Sequence, residues 1–174
     1  MGRKQVRLAT QAYIQNAAIP YVGTVWPARP SILQESAYTQ DLMGQAIAQT
    51  DNGSSMVIVV NIPSDKRSRI ALVGRGAVDD LSTHRMALEL WFACSSGDGV
   101  QAQLDYDGIV DDLEALIRAN ANLGNPDVVW SAAEFDAGIN HVQSQAFNSD
   151  EGGAIIIIGT LRFEAIENIV GTDV

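Results

Sequence analysis

The chain has 174 residues, of which 47% are hydrophobic and 18% charged, and its formal net charge at pH 7 is −10. This composition predicts one globular domain over 1–174 and excludes a largely disordered chain. The negative charge comes from residues 98–151, which hold eleven acids and one base, whereas the rest of the chain is neutral. An acidic surface of this kind is unsuited to gripping nucleic acid phosphates.

Targeting signals and reactive cysteines are not apparent. No apolar run approaches the roughly 18 residues that a membrane helix needs, and the N-terminus lacks the apolar segment of a signal peptide. We therefore expect no membrane partner and assembly in the cytoplasm. The single cysteine, Cys94, rules out an intrachain disulfide and a cysteine zinc cluster. Cys94 shares an apolar strand face and is predicted to be buried and inert.

Apolar residues at three- and four-residue steps predict helices, and alternating or β-branched runs predict strands. In chain order, these patterns give a helix over 3–17, a strand over 21–26, a helix over 39–49 and strands over 56–62, 69–73 and 83–94. A polar loop is expected between the strands at 56–62 and 69–73. Gly97 and Gly99 are expected to end the strand at 83–94.

The second half of the chain predicts a helix over 104–120 and strands over 128–135, 139–147 and 154–166, with a hairpin loop at 148–153. Asp105 and Asp107 are expected in the first turn of the helix and Arg118 in its last turn, where each charge suits the helix dipole. Few helices, kept apart from runs of strands, predict an α+β fold. The expected architecture is a mixed, largely antiparallel sheet flanked by two main helices in a single domain.

The last predicted strand contains four consecutive isoleucines, Ile155–Ile158, which are apolar on both faces of the strand. An exposed run of this kind would favour aggregation, so both faces must be covered. Helices can cover one face. The other face could be covered by loops of the same chain or by a neighbouring subunit.

Candidate catalytic motifs are weak. Gly74-Arg75-Gly76 follows a strand but lacks the remaining residues of a phosphate-binding loop, so a charged loop is favoured. His84 and His141, the two histidines, have no metal-binding spacing and are predicted to be surface residues. A serine triad of Ser82, His84 and Asp80 is rejected, because neighbours on an extended chain point in different directions.

Three acids of the predicted helix, Asp107, Asp111 and Glu114, are spaced four and three residues apart and therefore line one face. Three interpretations are open: a solvated face, a divalent-cation site, or a surface kept negative for a functional reason. Cation sites usually gather their oxygen ligands in a loop, and this disfavours the second interpretation.

Four stretches carry a family resemblance: IPYVGTVWPARP (19–30), RIALVGRGAVDDLSTHRMALELWF (69–92), GIVDDLEALIRANANLG (108–124) and IIIIGTLRFEAIENIV (155–170). Together with the basic N-terminal helix and the order of elements, they resemble the tail terminator (tail completion) proteins of long-tailed bacteriophages, especially those infecting actinobacteria. The resemblance spans nearly the full length of the chain and contains no catalytic signature.

The resemblance implies an α+β structural protein of the virion that forms a hexameric ring. Such a ring caps the tail tube protein at the head-proximal end, stops tube polymerisation and joins the tail to the head–tail connector or stopper protein. Genome DNA passes through it without specific binding, and no cofactor or catalytic residue is implied. By analogy with the charged loops of the family, contact candidates are Arg75, Asp79, Asp80, Asp150 and Glu151.

A ring would also account for two features of the residues themselves. Neighbouring subunits around a cyclic axis could cover the isoleucine run. Asp107, Asp111 and Glu114 could line an acidic passage that repels the DNA backbone. Two alternatives are kept: another tube or head–tail junction ring protein, and a small acidic metal-dependent hydrolase that uses these three acids with His84 or His141.

Overall fold

The computed structural model describes residues 2–29, 35–50, 53–71, 78–132, 138–148 and 153–167. The elements are α1 (Arg3–Asn16), β1 (Val22–Trp26), α2 (Glu35–Ala48), β2 (Ser54–Ala71), β3 (Val78–Cys94), α3 (Gly99–Ala119), β4 (Val129–Ala132), β5 (Asn140–Asn148) and β6 (Ile155–Glu167). The sheet runs β1-β2-β3-β6-β4, and β5 also pairs with β6. Only the β1–β2 pairing is parallel among the described pairings, so the α+β fold has a mixed, largely antiparallel sheet.

Alternation along the central strands separates two hydrophobic cores. On one face, side chains such as Ile58, Leu90 and Leu161 pack with α1 and α3. On the opposite face, Val57, Trp91 and Ile156 pack with Leu42 and other residues of α2. The sheet is therefore covered by two helices on one side and by one helix on the other.

The isoleucine run at 155–158 is covered within the chain. Ile155 and Ile157 belong to the α1–α3 core, and Ile156 and Ile158 contact the α2 core. The expected cover from loops or from a neighbouring subunit was therefore wrong, because α2 supplies it. This run consequently gives no argument for a ring.

The strand predicted at 56–62 and the described residues of the strand predicted at 69–73 belong to one strand, β2, and the polar loop predicted between them was wrong. Charged residues at 65–67 gave the appearance of a loop, yet they continue in register against β3. A bulge lies between Asn61 and Ser64, where Pro63 cannot donate a backbone hydrogen bond to the ladder. The next strand, β3, begins five residues before its predicted start, so Asp79 and Asp80 lie in a strand rather than in a loop.

The predicted helix over 104–120 begins five residues earlier, at Gly99. The Asp98 side chain accepts hydrogen bonds from the backbone N–H groups of Val100 (2.9 Å) and Gln101 (3.2 Å), which caps the helix. Asp105 and Asp107 therefore lie beyond the first turn, and their predicted role at the dipole was wrong. Asp98 takes that role, whereas Arg118 does lie in the last turn.

Candidate functional site

Two of the three acids predicted to share a helix face are exposed to solvent. Asp107 and Asp111 are exposed on α3, and Glu114 is half-buried. The Gln103 amide donates a hydrogen bond to Asp107 Oδ1 at 2.9 Å, and Arg118 forms an ion pair with Glu114 at 2.9 Å. Asp111 has no ion-pair partner among the described residues. The structure therefore brings the three acids onto one face, and no described residue neutralises the charge of Asp111.

Apolar side chains extend this face toward the start of α3. Val100 and Leu104 are 72% and 61% exposed. Val100, Leu104 and Gly108 are spaced four residues apart and therefore lie on one side of the helix. We call Val100, Leu104, Asp107, Gly108 and Asp111 the α3 outer face. Sequence reasoning missed its apolar half, because the helix was predicted to begin at 104. Asp98, a residue type that caps helices, was the available signal.

The start of α1 carries the opposite charge. Arg3, Lys4 and Arg7 lie within two turns, and Leu8, which follows them, is 43% exposed. Arg3 forms an ion pair with Asp65 of β2. Partial burial, and secondarily the nearby Arg3, lowers the pKa of Arg7. Lys4 has no ion-pair partner in the described part of the chain.

The other predicted contact residues lie elsewhere or outside the described residues. Asp79 and Asp80 pair with Ile70 and Arg69 in the backbone register of a two-stranded arm. Residues 68–71 and 78–81 of this arm pair only with each other among the described strands, since β6 reaches no further than Ser82. Residues Arg75, Asp150 and Glu151 lie outside the described part of the chain.

The prediction that His84 is a surface residue was wrong. His84 and Glu167 are 2% and 4% exposed, and His84 Nε2 lies 3.1 Å from Glu167 Oε2. Ser82, also buried, is directly opposite Glu167 in the ladder. A serine–histidine–glutamate set is thus brought together, but its burial leaves a substrate no access. The pair holds the end of β6 against β3.

His141, like His84, makes a contact that holds elements of the fold together. Its Nε2 and the hydroxyl of buried Tyr106 are hydrogen-bonded at 2.7 Å. Burial, and secondarily the charge of Asp107, raises the pKa of Tyr106, so the phenol stays neutral. Both groups lie over Gly159, where an added Cβ would collide with the Tyr106 hydroxyl and come within 2.9 Å of His141 Nε2. This contact fastens α3 to β5 and β6.

A cleft of about 550 Å³, lined by both polar and apolar residues, lies on the part of the sheet that α2 leaves uncovered. Two ion pairs lie along it: Arg29 with Glu89 at 2.9 Å and Arg85 with Glu164 at 3.5 Å. Their charges neutralise each other. Within the described ranges, no group of three or more histidine, cysteine, aspartate or glutamate residues could hold a metal ion. None of the described helices is long and apolar enough to cross a membrane.

Comparison with known proteins adds little beyond the fold. No protein-family model matches the chain, and no curated protein matches it. One similar solved structure is 14% identical and covers 76% of this chain and 98% of its own, with a TM-score of 0.36. A similarity at this level carries no argument about function.

Proposed function

We propose that this chain is a tail terminator: a structural virion protein that forms a ring at the head-proximal end of a phage tail tube. The ring ends polymerisation of the tail tube protein and joins the tail to the head–tail connector or stopper protein. Genome DNA passes through the ring without specific binding. No catalysis and no cofactor are part of the proposal.

The observation that carries the proposal is the resemblance of four stretches, considered together with where they lie. Three of them, 69–92, 108–124 and 155–170, contain most of β3, most of α3 and all of β6. β3 pairs with β6 from Cys94 to Ser82, and α3 packs on both strands. The fourth stretch, 19–30, contains β1. Three of the four stretches therefore fall on one packed unit, and the fourth lies across β2 from it.

The exposed edge of the sheet supports a protein that assembles. β5 is nine residues long, and every residue except His141 is exposed. Among the described strands it pairs only with β6, so no described strand pairs with its outer backbone groups. Long open edges of this kind usually require cover. Val142 and Phe147 on the same strand are also exposed.

Electron microscopy and light scattering of the purified full chain test the proposal. We expect closed rings whose mass does not grow with protein concentration. Open tubes that lengthen with concentration would instead indicate a tube protein, the alternative within the same structural class. A monomer that binds Mn²⁺ or Zn²⁺ in calorimetry would overturn the proposal and favour the hydrolase that uses Asp107, Asp111 and Glu114.

A further inference from the structure

The α3 outer face has the properties of a helix-binding surface that nothing in the described chain covers. Val100 and Leu104 expose apolar side chains one turn apart, and an acidic half follows at Asp107 and Asp111. Apolar residues with this helical spacing normally face a packing partner. The charged half restricts that partner to one with basic residues beside its apolar ones.

Gly108, in the middle of this face, is unexplained by the chain's own packing. Glycine inside a helix costs about 1 kcal/mol relative to alanine. A Cβ added at 108 would meet no atom within 4 Å, so no intrachain contact requires its absence. A missing side chain lets a second helix approach closely, at the short end of the roughly 8–10 Å range of helix–helix axis distances.

The outward side of α1 matches this surface. Lys4, Leu8 and Ala12 are exposed at steps of four residues. If α1 lies antiparallel to α3 with Leu8 opposite Leu104, then the equal rise per residue in both helices places Ala12 opposite Val100. The same alignment places Lys4 opposite Gly108, between Asp107 and Asp111. Apolar residues then meet apolar residues, and the unpaired cation meets the unpaired acid.

We propose that the α3 outer face binds α1 of a second copy of this chain, in this antiparallel alignment. In the same antiparallel alignment, contact between two α1 faces would place Lys4 opposite Ala12, and contact between two α3 faces would place Val100 opposite Gly108 and beside the acids. Neither of these contacts pairs Lys4 with an acid. The contact therefore joins two different elements of the two copies. It can be made twice in a two-fold dimer, with each α1 on the other copy's α3, or once per subunit as a heterologous contact that closes into a ring. That this contact closes into a ring rests on the proposed function. The contact also places Asp107 and Asp111 between subunits rather than in a DNA passage.

Charge reversal tests the pairing of Lys4 with Asp111. Both residues are exposed and lack described ion-pair partners, so Lys4→Glu and Asp111→Lys should leave the fold intact, as checked by circular dichroism. Each variant alone is expected to weaken self-association by about tenfold or more, because like charges then face each other. An equal mixture of the two variants should restore assembly, since every contact in an alternating, even-numbered oligomer becomes attractive. Mass photometry measures each case.

Gly108→Gln tests the close approach and has a matched control. Glutamine is a good helix former, so the variant should unfold at a higher temperature while its self-association weakens. Gly44→Gln in α2 changes a helical glycine that also has no atom within 4 Å of an added Cβ. This control should gain stability and keep the assembly of the wild-type protein.

The outcomes separate the contact from the proposed function. Loss of assembly in both single variants, recovery in their mixture and loss in Gly108→Gln alone would support the contact. Wild-type rings that all the variants form equally well would overturn the contact and leave the terminator standing. A wild-type chain that stays monomeric at every concentration would overturn both.

Discussion

Gly159 lies where α3, β5 and β6 meet. Because a Cβ at this position would collide with the Tyr106 hydroxyl, Gly159→Ala must displace either the tyrosine or a strand. Overpacking of this kind typically costs about 1–3 kcal/mol. We expect Gly159→Ala to lower the free energy of unfolding by that amount, measured by urea denaturation.

A second substitution checks the cause of this loss. Tyr106→Phe removes the colliding hydroxyl, so Gly159→Ala combined with Tyr106→Phe should lose less stability than the sum of the two single changes. Additive losses would show that the two positions are not in contact, because coupling is confined to groups that interact.

The buried His84–Glu167 pair should contribute more stability than a partly exposed pair on the same strands. Glu167→Ala removes the carboxylate that His84 contacts and is expected to cost about 1.5–3 kcal/mol, the range for hydrogen bonds to charged groups. Glu164→Ala, which breaks the pair with the exposed Arg85, should cost under about 1 kcal/mol. Equal losses in thermal or urea unfolding would contradict the assignment.

The burial of His84 could not be predicted from its neighbours in the sequence. Polar neighbours around His84 suggested solvent exposure, but its partner Glu167 lies 83 positions away. Strand pairing alone brings the two together, and the pairing register depends on the whole sheet. By contrast, the burial of Cys94 was predicted from the alternation of its own strand alone, and it is confirmed.

At the scale of elements, the N-terminal cap of α3 gives a direct test. Asp98→Ala removes the side-chain acceptor for the N–H groups of Val100 and Gln101 and should cost about 1 kcal/mol. Asp112→Ala, an exposed position in mid-helix, is the control and should change stability little. An Asp98→Ala variant as stable as the wild type in thermal unfolding would contradict the cap.

Element prediction succeeded where one local pattern decided the structure. The α+β class, the paired strands β5 and β6 and the long apolar face of β3 followed from periodicity. It failed where tertiary contacts overrode local composition. The charged residues at 65–67 extend β2 because β3 pairs with them, and the isoleucine run is covered by α2, a helix whose sheet face could not be assigned from sequence.

At the scale of the whole molecule, part of the charge asymmetry of the sequence can be assigned to two helices. The acids at 107 and 111 lie exposed on α3, and the unpaired cation at Lys4 lies on α1. An acidic surface and a basic surface on one subunit suit assembly by unlike contacts better than assembly by like contacts. The terminator proposal and the α1–α3 contact both depend on such an assembly.

The length of tail tubes tests the central claim most directly. The tail tube protein encoded in the same genome would be assembled with and without this chain, and tube lengths would be measured by electron microscopy. We expect tubes to stop growing when the chain is present, with a ring at one end, and to elongate without limit when it is absent. Identical length distributions in the two samples would contradict the claim that this protein ends tube polymerisation.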